Sequence, residues 1–109
     1  MNKLNITNIE FIEHIVPKGS CGTGYSEPDK FNITFENGQT KKVLIDIWYL
    51  PEKYIRGRFE KDLTNALEWD ILSTDQIIKV ENMYDAYKMY LEACKEYYKW
   101  DVDKILNIC

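Results

Sequence analysis

The chain carries one histidine, three cysteines and three prolines, and nowhere does it hold the roughly 20 consecutive apolar residues of a membrane-spanning helix. Cys21, Cys94 and Cys109 are odd in number and widely scattered. That argues against a disulfide framework and lacks the paired spacing of a zinc site, so reduced thiols are expected. The acidic residues are dispersed among lysines rather than gathered with His14, so neither a metal nor another cofactor is expected. In residues 1–16 the apolar side chains are broken by Asn5, Asn8, Glu10 and Glu13, a pattern without the apolar core of a signal peptide. These features predict a cytoplasmic protein with no membrane partner, in which the glycosylation sequons at Asn5 and Asn32 are accidental.

Arginine is also scarce, being confined to Arg56 and Arg58. The lysine, isoleucine, asparagine and tyrosine bias is typical of AT-rich coding and points to a low-GC bacterium or its phages. A net charge of -4 disfavours direct nucleic-acid binding, which gains from a concentrated basic surface through counterion release, and is too mild for a DNA mimic. The nearest basic cluster, Lys53, Arg56, Arg58 and Lys61, is interrupted by Glu52, Glu60 and Asp62 and reads as a solvated helix face. With 109 residues, 45% hydrophobic and 29% charged, the chain is sized for one ordered domain with its own core.

What the chain does contain is patterned. Residues 4–16 mix alternation (Leu4, Ile6; Ile9, Phe11) with a slip at Phe11-Ile12, which suits a bulged strand. Residues 17–28, with three glycines and two prolines, form a surface loop. Phe31, Ile33 and Phe35 then alternate with polar residues up to Asn37-Gly38, a strong hairpin signal. A two-residue turn would set Ile33 opposite Lys42. A slip of one sets Ile33 opposite Val43 and Phe31 opposite Ile45, keeps lysine off the buried face, and implies a three-residue or bulged connection. The return strand, 41–50, is nearly all apolar from Val43 onward and is expected at the centre of the sheet.

Pro51 suits a first helical position, and Ile55, Phe59, Leu63, Ala66 and Leu67 recur at helical spacing, predicting a helix over 51–69. Ser73 with Gln76 offers a capping box for a second helix beginning near Thr74 or Asp75, the favoured reading. The alternative makes residues 77–80 a short edge strand and leaves Asn82 to cap. Asp101 can cap a last turn over 102–108.

Residues 82–100 are the most informative stretch. On a helix, Asp85, Lys88, Glu92, Lys95, Glu96 and Lys99 share one side, while the apolar residues opposite sweep roughly 200°, about double the minimum stripe for packing on one core. One flank is therefore expected to face a partner. Two flanks compete: Tyr84, Leu91 and Tyr98 form a bulky edge, while Ala86, Ala93, Tyr90, Tyr97 and Trp100 are the favoured partner-binding residues, because the alanines admit a close backbone, whether of a larger host or cognate protein or of a second copy in a homodimer.

Two chemical alternatives stand beside this one. His14 and Cys21 could form a base and thiol nucleophile, with Asp29, Glu13 or Glu10 orienting the imidazole. Trp48, Tyr49, Tyr54 and Trp69 could line a small-ligand pocket with the helix tyrosines, although core roles suit them better. The Gly19, Gly22 and Gly24 loop lacks the strand-to-helix context of a phosphate loop, but Cys21, Gly22, Thr23, Gly24 and Tyr25 could serve as a contact surface.

The expected architecture is α+β: a three-stranded, mostly antiparallel sheet with two main helices on one face and a short C-terminal helical segment. The expected function is a non-enzymatic protein-binding inhibitor that occludes a larger partner, of the phage anti-defence (anti-CRISPR) or toxin-immunity type.

Overall fold

The structure, a computed structural model, describes residues 2–16, 27–68 and 78–108. Its strands are β1 (Asn2–Leu4), β2 (Ile6–His14), β3 (Asp29–Phe35), β4 (Thr40–Ile45) and β5 (Ile78–Val80). A single 3-10 turn, Glu52–Tyr54, leads into α1 (Ile55–Glu68), and α2 (Met83–Tyr98) and α3 (Val102–Leu106) complete the chain. β2, β3 and β4 form the expected three-stranded antiparallel sheet. Its inner face, with Ile9, Phe31, Ile33, Phe35, Val43 and Ile45, joins one core with Phe59 and Leu63 of α1 and Tyr90 and Leu91 of α2. Among the described residues no helix is long and apolar enough to cross a membrane.

The hairpin has the three-residue connection expected, but its register differs by two residues. Phe31 faces Val43 and Ile33 faces Lys41. The Phe35 carbonyl accepts from Gly38 N–H, and Phe35 N–H donates to the Gln39 carbonyl, so residues 36–38 form the loop. Gly38 sits at φ 87°, the left-handed position that closes such a turn. The expected pairing would have moved the loop to 37–39 and put that strain on Gln39. A two-residue difference preserves facing, so Phe31, Ile33, Val43 and Ile45 still share one buried face.

Strand β4 is an edge rather than the centre, and stops at Ile45. Leu44 is half exposed on the outer face, while β3 between its two neighbours is buried at every second residue. Past Ile45 the backbone is satisfied by α1 instead of a strand: Asp46 N–H donates to the Asp62 carboxylate at 3.0 Å, and Arg58 donates to the Asp46 carbonyl at 3.3 Å. Pro51 precedes the 3-10 turn as its cap instead of opening the helix, and Trp69, the expected helix end, lies outside the described residues.

The favoured start of the second long helix is also corrected. β5 pairs in parallel with β1, Asn2 facing Ile78 and Leu4 facing Val80, and α2 begins only at Met83. Asn82 holds the N-cap position, yet its side chain does not cap. Its Oδ1 accepts from Ile6 N–H at 2.8 Å and its Nδ2 donates to the Ile6 carbonyl at 2.9 Å, mimicking a strand neighbour. At the other end of α2, Lys99 takes a left-handed φ of 60° and Trp100 N–H reaches back to the Lys95 carbonyl, turning Trp100 onto the Tyr98 ring at 4.8 Å. Asp101 caps α3 as expected, accepting from Lys104 N–H.

Candidate functional site

Two bulges decide which side chains β2 turns inward. Register shifts between Ile6 and Asn8 and between Phe11 and Glu13 insert Thr7 and Ile12 as extra residues. As a result Ile6, Ile9, Phe11 and His14 stand opposite Phe35, Ile33, Phe31 and Asp29, which an unbroken period of two could not achieve. The slip at Phe11-Ile12 is the second bulge. Asp29 occupies the next inward position of the Phe35, Ile33, Phe31 series and is fully buried.

The resulting cluster is polar at its centre and aromatic around it. His14 Nδ1 lies 2.7 Å from Asp29 Oδ1, and His14 Nε2 lies 3.1 Å from Glu27 Oε1. The Tyr98 hydroxyl donates to Asp29 Oδ2 at 2.6 Å, so both oxygens of the buried carboxylate have partners. Tyr97 stacks on His14 at 5.4 Å and on Phe11 at 5.2 Å, and Phe31 meets Phe11 edge-on at 5.5 Å. Behind Asp29, Tyr90 and Cys94 are buried; among the described residues the Tyr90 hydroxyl meets nothing better than the Cys94 thiol, a weak acceptor.

Burial works to lower the His14 pKa, but hydrogen bonds to Asp29 and Glu27, reinforced by their charge, hold it above the ordinary 6.5. Burial also raises Asp29, against the pull of Tyr98 and His14, with the Asp46 charge adding to the rise. Tyr98 is pushed up by burial and by its bond to Asp29, so it remains a donor. Burial, with the nearby Asp29 charge, raises the Cys94 thiol so far that it is an inert packing group.

Comparison with known proteins finds no matching family model, no matching curated protein and no matching solved structure.

The residues expected at a partner surface part company. Ala86 and Tyr90 are fully buried and belong to the core, which corrects their assignment to an exposed flank. Tyr90 packs on Phe59 at 4.7 Å and Phe31 at 5.2 Å. Ala93 and Trp100 are half-buried against the core, and only Tyr97 of that set is 51% exposed. Cys21, Gly22, Thr23, Gly24 and Tyr25 lie outside the described residues. Asp29 does orient His14, as one of three expected acids, while Glu27 and Tyr98 were missed. Stepping the Phe35, Ile33, Phe31 alternation back by two would have placed Asp29 inside; nothing local announces Tyr98.

Trp48, Tyr49 and Tyr54 form a second group of interest. Each is between 44% and 53% exposed, contrary to the core roles expected of them. Trp48 meets Tyr49 edge-on at 5.7 Å, Arg58 lies over Tyr49 and donates to its hydroxyl at 3.1 Å, and Lys53 sits over Tyr54 at 5.1 Å. Among the described residues, a groove between β2 and α2 beside Ile9 and Met89 and another that shares Arg58 have no aromatic lining.

Proposed function

We propose that this chain is a non-enzymatic protein-binding protein that acts by occluding a larger protein, as phage anti-defence and toxin-immunity proteins do. The observation that carries this reading is the exposure of Trp48, Tyr49 and Tyr54 within seven consecutive residues, braced by Arg58 and Lys53. Tryptophan, tyrosine and arginine are the side chains that concentrate binding energy at protein interfaces, because each buries a large apolar area while keeping a polar tip satisfied. Bracing of Tyr49 by Arg58 lowers the entropy lost when such a side chain is fixed. The His14 geometry favours this reading over a thiol enzyme, since carboxylates on both ring nitrogens favour the charged imidazole, which has no lone pair with which to take a thiol proton.

The test is affinity capture from a bacterial host lysate, with the bound material identified by mass spectrometry of both proteins and small molecules. Wild type should retain a discrete protein that Trp48→Ala and Tyr54→Ala each lose by tenfold or more, with circular dichroism and melting unchanged. Capture that survives both substitutions but fails in Tyr97→Ala would move the interface to the end of α2. A stoichiometric small molecule and no protein would overturn the reading.

A further inference from the structure

The two nitrogens of His14 face two different carboxylates, Asp29 at 2.7 Å and Glu27 at 3.1 Å. A neutral imidazole has one N–H and one lone pair, so it can donate to only one of them; imidazolium donates to both. We propose that His14 is a proton-operated clasp: as imidazolium it holds Asp29 and Glu27 together, and on losing its proton it keeps Asp29 and releases Glu27.

The order of release follows from burial. Asp29 is wholly enclosed, and its Oδ1 would face a lone pair if the remaining proton sat on Nε2. Glu27, with 29% of its side chain exposed, can turn to water instead. The proton therefore stays on Nδ1, and the lone pair left on Nε2 repels the Glu27 carboxylate.

Among the described residues, the groups around the imidazole come from three parts of the fold. Glu27 precedes β3 and Asp29 begins it. α2 contributes the Tyr97 ring against the imidazole and the Tyr98 hydroxyl on the far oxygen of Asp29, with Tyr90 and Cys94 deeper behind; Asp46, just past β4, adds negative charge near Asp29. The acids outweigh burial and favour the charged ring. The 2.8 Å bond from Ile15 N–H to the Pro28 carbonyl involves no imidazole atom, so the change falls on Glu27, the anchor just outside the strand pair.

His14 is the sole histidine, so a long-range proton–nitrogen NMR spectrum of the full chain contains one pair of imidazole nitrogens. Titration should show both nitrogens protonated at low pH. Above the midpoint Nδ1 should keep its proton and Nε2 should carry the lone pair, the reverse of the tautomer that free histidine prefers in water. The Glu27 side-chain carboxyl carbon should shift with the His14 midpoint. Glu27→Gln, at a partly exposed position, should fold normally, lower that midpoint and keep the Nδ1–H tautomer. An Nε2–H tautomer above the midpoint, a Glu27 signal indifferent to the His14 titration, or an unchanged midpoint in Glu27→Gln would each overturn the clasp.

Discussion

Phe59 and Leu63, picked out by helical spacing alone, are both fully buried, and Phe59 packs among aromatic rings. Its ring lies 4.7 Å from Tyr90 and 5.7 Å from Tyr87. Phe59→Ala should lower stability by about 3–5 kcal/mol in urea denaturation, since neighbouring rings close poorly over a lost phenyl group. A loss below about 1 kcal/mol would mean that the two tyrosines collapse into the gap. Tyr90 and Tyr97 show where such spacing stops being informative. Seven residues apart, they share nearly the same side of α2. Tyr90 lies under Phe31 and Phe59, whereas Tyr97 lies against Phe11 and His14 and remains half exposed. Helical phase tells which way a side chain points but not whether anything stands there.

Turns and strand partners account for most differences between the expected elements and those observed. Gly38 is the only glycine with positive φ among the described residues, and no atom would crowd an added Cβ there. Gly38→Ala should therefore destabilise through backbone strain alone, by roughly 1–2 kcal/mol. Equal or greater stability in thermal melts would contradict the turn described. Asn82 makes two hydrogen bonds to the Ile6 backbone. Asn82→Ala should strand both groups in a partly buried site, reducing stability by about 1–3 kcal/mol and hastening hydrogen exchange at the Ile6 amide. An unchanged exchange rate would show that water replaces the side chain without penalty. Residues 78–80 read acceptably as helix or strand from their own composition. Pairing with β1, some 76 positions away, selected the strand.

At His14 and Asp29 the folded protein binds protons more tightly than the unfolded chain, and these two connected groups shape the pH response of its stability from acid to neutral pH. His14 is raised above 6.5 on folding, so its contribution is complete below 6.5 and is lost as pH rises through the folded value. Asp29 is raised above 3.8, so its contribution likewise falls as pH climbs from 3.8 through its own folded value, where the buried carboxyl must ionise. Both trends run the same way. Urea midpoints should therefore fall as pH rises from below 6.5 past the His14 titration, and His14→Asn should remove that upper decline while the Asp29 decline, no longer opposed by His14, moves to higher pH. A wild-type midpoint that rises across this upper interval would refute the assignment.

Alternation and helical period were legible because they are local: Phe31, Ile33 and Phe35 inside, α1 through Ile55, Phe59, Leu63 and Leu67, the strand Ile6–His14 with a bulge at Phe11-Ile12 within the expected 4–16, from which Leu4 departs to the other sheet, and Asp101 as a cap. From these alone the α+β architecture follows, because an apolar sheet face and two apolar helix stripes must cover one another. Tertiary structure decided what depends on distant partners: the β1–β5 pair, the edge position of β4, the use of Asn82 on Ile6, and the burial of Tyr90 beside the exposure of Tyr97. The His14 cluster divides along the same line. His14 and Asp29 flank one loop, so their proximity could be read along the chain, whereas Tyr98 joins Asp29 across 69 positions through packing of α2 on the sheet, a contact that no local propensity encodes.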